Sequence, residues 1–163
     1  MAVLEILLWP DARLSALCAP VDQITDTIRK LVADMFDTMY AAPGRGLAGP
    51  QVGAMLRLFV MDATWKEGGK SPLVMINPEI LSHSDERVEM DEVCLSIPGV
   101  EAPVTRPTRI TIRWMDLDGA THVCEMDGAE ARIAQHEFDH LNGRVHFDRL
   151  DAKARAHLEA AYL

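Results

Sequence analysis

The chain has 163 residues, 48% hydrophobic and 25% charged, a globular composition that excludes collagenous, coiled-coil and wholly disordered architectures. That length holds one domain with a sizeable core and is short for two, so residues 1–163 are expected to form a single domain. A formal net charge of −9 with no basic stripe or patch argues against nucleic acid as a partner.

The apolar start, Met1 to Trp9, lacks a basic leader and a small-residue cleavage site, and Pro10 stops it far short of a membrane span. It reads as a mature, cytoplasmic beginning with no membrane association. Cys18, Cys94 and Cys124 are odd in number and scattered in spacing, which fits a reducing compartment and no disulfide framework. Pro10-Asp11 and Pro20 punctuate a lead-in expected to wrap the body.

From Thr25 to Ala42, the apolar residues Ile28, Leu31, Val32, Met35, Phe36 and Met39 recur at helical spacing, with Thr25 or Asp26 placed to cap the first turn. Pro43-Gly44 ends this amphipathic helix. The stretch Gly44 to Gly53 follows, rich in glycine and carrying the amide side chain of Gln51. It lacks the lysine and the preceding strand of a phosphate-binding loop. By itself it reads equally as a flexible connector.

Leu56 to Asp62 and Leu73 to Asn77 are predicted strands, with Trp65 to Lys70 a hairpin or exposed loop between them and Asn77-Pro78 ending the second. Ser82 to Glu86 reads as a solvated turn. Asp91 to Gly99 places Cys94 on an extended segment, where a lone cysteine behaves as a small buried hydrophobe. Arg109 to Met115 alternates, with Ile110, Ile112 and Trp114 on one side, and Asp116 to Gly119 turns it into Thr121 to Met126. Cys124, in this second arm, is expected in the core. A helix from Gly128 is expected to stop at Asn142-Gly143, and Asp151 to cap a short closing helix reaching Leu163.

The penultimate helix carries Gln135-His-Glu-Phe-Asp-His140. At about 100° per residue, His136 and His140 share a face and can grip one ion, and Glu137 leans over the same edge as a proton acceptor for water. A catalytic site of this kind takes a third protein ligand. Candidates lie downstream, in His146, His157 and Glu159, and upstream, in Cys94; spacing alone leaves both open.

Three motifs taken together, Gly44-Arg-Gly-Leu-Ala-Gly-Pro-Gln51, Glu92-Val-Cys-Leu-Ser96 and Gln135-His-Glu-Phe-Asp-His140, resemble those of the peptide deformylase family in order and separation. Met35 to Tyr40, Ile76-Asn77-Pro78 and Leu141-Asn142-Gly143 also look like that family, so the likeness covers nearly the whole chain. The resemblance implies an α+β domain with antiparallel or mixed sheets around a central metal-binding helix, an N-terminal amphipathic helix and a short C-terminal one. It implies one divalent metal on Cys94, His136 and His140, iron(II) in the cell with zinc, nickel or cobalt as substitutes. It further implies N-formylmethionyl peptides as substrates and formate as a product. Glu137 would be the general base, and Gln51 with the Leu95 N–H the donors to the developing oxyanion. Arg45 and Gly46 would lie along the substrate. Apart from the resemblance, Arg106 and Asp139 are expected either to orient ligands or to form a plain surface ion pair.

The sequence departs from the family's pattern at several places. Val93 replaces a glycine beside Cys94, Glu101 replaces an arginine of the substrate groove, and Ala129-Glu130 replaces two apolar residues. A methionine pocket formed by that face would be wider or more polar. These changes also suit a hydrolase with a shifted N-acyl substrate, or a weakly active or non-catalytic metal-binding paralogue. Ending at Leu163 without a long basic tail, the chain is not expected to dock on the ribosome by such a tail, and any ribosome proximity would be transient.

Overall fold

Thr25 caps the first long helix, α1 (Asp26–Ala41), its side chain accepting from the Ile28 N–H. The structure, a computed structural model, describes residues 2–163; Met1, at the head of the apolar start, lies outside the described residues. Seven strands follow: β1 (Gly46–Ala48), β2 (Leu58–Met61), β3 (Leu73–His83), β4 (Arg87–Cys94), β5 (Ile97–Pro107), β6 (Arg109–Met115) and β7 (Thr121–Asp127). Helices α2 (Gly128–Leu141) and α3 (Ala152–Tyr162) complete an α+β architecture.

Five strands pair antiparallel in the order β1-β2-β3-β6-β7, and β4 with β5 forms a separate antiparallel hairpin. Strand β2 is buried along its whole length because its alternating side chains serve two layers. Leu58 and Val60 join Val32, Met35 and Met39 of α1, whereas Phe59 and Met61 join Ala131, Ala134 and Leu141 of α2. The main sheet is thus sandwiched between α1 and α2, and α2 is held as a rigid rod at the centre. A third cluster, of Leu14, Cys94, Ile97, Val100, Val145 and Phe147, seats the β4–β5 hairpin on the far side of α2. Against it lies α3, capped by Asp151 and tied to the lead-in by Tyr162 Oη donating to the Trp9 carbonyl at 3.1 Å.

Several expectations need correction. The strand predicted to end at Asn77-Pro78 runs on to His83, because a bulge absorbs the proline. Asn77 adopts φ 50, and its amide offsets the strain by bonding both the N–H and the carbonyl of Val21. The turn predicted over Ser82 to Glu86 is accordingly shorter, since Ser82 and His83 still pair with β6. Strand β5 extends well beyond Gly99 despite Pro103 and Pro107. It pairs with β4 alone, which leaves one edge where a missing N–H disrupts no ladder. Cys124 is only half-buried, on a strand whose neighbours are exposed. The lead-in does wrap the body, with the Cys18 N–H bonded to the last carbonyl of α2.

Candidate metal centre

Glu92 and Cys94 are two residues apart on β4, so both side chains turn inward while Val93 between them points out, 68% exposed. Asn77 is the one non-glycine residue with positive φ among the described residues, so Val93 takes its place next to Cys94 without backbone strain. The ladder closes at Cys94 opposite Ile97, leaving Leu95 and Ser96 as a two-residue turn whose Leu95 N–H lies outside the strand pairing.

From α2, His136 and His140 face this turn. The ligand atoms of Cys94, His136 and His140, all buried, lie within 4.8 Å of one another, with Cys94 Sγ 3.4 Å from His140 Nε2. His136 Nδ1 meets Glu92 Oε1 at 2.8 Å, which presents Nε2 to the centre. A thiol and two imidazoles in this geometry are a soft, three-point donor set suited to a divalent transition ion, with a tetrahedral position to spare. Without an ion, the two imidazoles differ: Cys94 and Glu92 raise His136 against the effect of burial, whereas burial and the neighbouring His136 lower His140.

The remaining walls complete a cleft of about 340 Å³. Glu137 is 5% exposed, its Oε1 has no hydrogen-bond partner among the described residues, and burial pushes its carboxyl up to about 7. A Cβ on Gly46 would stand 2.6 Å from Glu137 Oε2, so β1 approaches the glutamate as only glycine permits. Gln51 is held at both ends, Oε1 accepting from the Ala48 N–H at 2.9 Å and Nε2 donating to Ser96 Oγ at 3.0 Å. Its Nε2 is 3.8 Å from Cys94 Sγ. The glycine-rich stretch is therefore no loose connector but a short strand and a 3₁₀ turn that aim Gln51 at the metal ligands.

Beneath the ligands runs a buried ion network. Arg106 donates to Glu92 at 2.5 and 2.8 Å and to Asp139 at 2.9 Å, and Arg132 donates to Glu92 at 2.6 Å. Burial opposes the Glu92 carboxylate, but Arg106 and His136 outweigh it and hold its carboxyl well below the usual range. Arg106 and Asp139 are thus interior groups at 3% exposure each, not a surface pair.

Three comparisons bear on what this arrangement is. The sequence matches the polypeptide deformylase family profile over residues 3–156. The chain belongs to the peptide deformylase family. It is 48% identical to the peptide deformylase of Afipia carboxidovorans over 155 residues, spanning 95% of this chain and 91% of that one. The Acinetobacter baumannii peptide deformylase is 45% identical over 95% of this chain and 87% of its own length. Among solved structures, the Ehrlichia chaffeensis peptide deformylase in complex with actinonin superposes with a TM-score of 0.92 at 40% identity, covering 99% of this chain and 96% of that one.

Of the residues singled out from the sequence, Arg45, Gly46, Gln51, Cys94, Leu95, His136 and Glu137 line this deformylase-type cleft, with His140 just behind it. Glu101 and Ala129 do not: Glu101 is exposed on β5, and the α2 turn facing the cleft is Arg132-Ile133. Of the downstream ligand candidates, His146 is buried with its ring centre 6.2 Å from that of His136, outside the donor trio. His157 is exposed on α3, and Glu159 is bonded to Arg155. Sequence reasoning missed Arg132 and the roles of Glu92 and Ser96. Arg132 lies one helical turn before His136, and Glu92 and Ser96 flank Cys94 at two residues on either side, spacings that carried the signal.

Proposed function

We propose that the chain is a metal-dependent peptide deformylase that removes the formyl group from N-formylmethionyl peptides in the cytoplasm, acting as one domain over residues 1–163. The observation that carries this reading is Glu137, a buried carboxylate with an unpartnered oxygen beside three converging metal ligands in a cleft. Cys94, His136 and His140 would hold the ion, for which iron(II) is our choice, with zinc, nickel or cobalt as working substitutes. When bound, it supplies Lewis acidity that makes water nucleophilic near neutral pH.

The chain's own groups do the rest. Glu137, buried and with one carboxylate oxygen unpartnered among the described residues, takes the proton of the attacking water and returns it to the departing amine. Gln51 Nε2 and the Leu95 N–H are held in advance where charge develops on the formyl oxygen; such a donor contributes roughly 3 kcal/mol. Gly46 admits both Glu137 and the substrate backbone to the same narrow space.

The test is formate release from a formyl-methionyl peptide by anaerobically prepared iron or nickel protein, with Glu137→Ala beside it. Release well above the variant's level is expected; no difference, with metal bound in both, overturns the reading. A second reading, a shifted side chain or acyl group, is favoured by one observation: Val93 stands 68% exposed on the cleft wall beside Cys94, where the family's pattern has glycine. Acetylated and longer-acyl peptides separate the two.

A further inference from the structure

A second cavity, of about 350 Å³, lies on the opposite face of α2 and shares no lining residue with the cleft. Its walls come from the α2 residues Gln135, Phe138 and Asp139, from strands β3 to β6, and from the segment after α2 that carries Arg144 and Arg149. On an acidic chain, this cavity is cationic. Arg87, Arg106, Arg144 and Arg149 line it, and Asp139 is its one acidic residue.

Asp139 is already committed, accepting from Arg106 through one oxygen and from Arg149 through both. Arg106 has all three nitrogens engaged by Glu92 and Asp139. Arg149 still has Nη1 free among the described residues. Arg87 and Arg144 have no carboxylate or other side-chain partner among the described residues, and neither has the Thr105 hydroxyl. The buried pairs are therefore satisfied, yet an excess of guanidinium donors remains around one concave space.

We propose that this cavity binds a small phosphate-class oxyanion, either free phosphate or the phosphate of a small monoester. Guanidinium forks deliver paired N–H groups to neighbouring oxygens, and several of them around one cavity match a dianion with three or four oxygens better than a carboxylate with two. A long polyanion would feel the repulsion of a chain carrying −9, whereas a small dianion feels chiefly the lining arginines. The inference is independent of the reaction assigned to the cleft.

Isothermal titration of the zinc-loaded chain with inorganic phosphate, and separately with glycerol 3-phosphate, tests the assignment and distinguishes the two sources. One saturable site is expected, weakened at least about tenfold in Arg87→Ala/Arg144→Ala while metal content stays unchanged. Both side chains are exposed, so folding is not at stake, and Arg87→Lys/Arg144→Lys should retain charge but recover only part of the affinity. Absence of saturable binding, or equal affinity in the double alanine variant, overturns the site, the latter placing phosphate at the metal. Tighter, arginine-dependent binding of a single-stranded RNA oligonucleotide overturns the small-ligand assignment.

Discussion

Glu92 Oε1 stands 2.8 Å from His136 Nδ1, so a carboxylate on a strand decides how an imidazole on a helix faces the cleft. The same carboxylate answers Arg106 and Arg132, which makes it the hub joining β4, β5 and α2. Glu92→Gln keeps the shape and removes the charge. Metal affinity, read by chelator competition, should fall about 10–100-fold. Unfolding free energy should drop by roughly 3 kcal/mol, since buried Arg106 is left with Asp139 alone and half-buried Arg132 loses its carboxylate.

Glu137→Gln should retain the metal and lose about 10²–10⁴-fold in kcat. The metal-free carboxyl titrates near 7 because burial disfavours its charge, and a cation beside it lowers that value. Binding an ion at pH 6.5 therefore expels a proton from Glu137. Calorimetric titration with zinc in buffers of differing ionisation enthalpy should show fewer protons released by the glutamine variant; equal release would refute the shift.

Gly46→Ala tests the fit of β1 against the glutamate. The added methyl would meet Glu137 Oε2 at 2.6 Å and must displace it. Displacement of the base by about 1 Å is expected to cost on the order of 10²-fold in kcat with metal content unchanged. Wild-type kcat in this variant would show that the carboxylate has room to move.

Asp62 organises the loop that rims the cleft. It is fully buried and accepts from Tyr40 Oη at 2.6 Å and from the N–H groups of Thr64, Trp65 and Ser71. Trp65 in turn donates its indole N–H to the Gly44 carbonyl, at the cleft wall. Burial opposes the Asp62 charge, yet these donors prevail and lower its pKa. The folded state then binds this proton less tightly than the unfolded chain. Its contribution is present above the unfolded value of about 3.9 and is lost as pH falls through the lower folded one. Asp62→Asn should lower stability by about 1–3 kcal/mol at pH 7 and flatten its decline in acid. It should also raise KM more than it lowers kcat.

Much of this was legible in the residues themselves. The apolar period of α1, the alternation of β6 with the turn into β7, and the histidine spacing on α2 each report a local rule that the fold obeys. Cys94 as the partner of the two histidines came from the likeness of three motifs to a family, not from spacing. Other features depend on packing that no local pattern encodes. Strand β5 carries prolines that a central strand would not tolerate, and only its place in a two-stranded hairpin makes them harmless. The residues mark Arg106 and Asp139 as ligand-orienting candidates, yet their burial and their union through Glu92 depend on chain segments far apart, and the cleft-facing turn of α2 lies one turn beyond Ala129.

The ligands come from two bodies: Cys94 from the β4–β5 hairpin, and the histidines from the rod packed into the main sheet, with 46 residues separating Cys94 from His140. An ion gripping both closes that long loop as a reversible staple, restricting the unfolded chain much as a cross-link does. Ligation and folding are consequently one equilibrium: melting temperature should climb with free metal concentration and fall back on chelation. With such a staple, the share of chains that stay folded would follow the supply of metal.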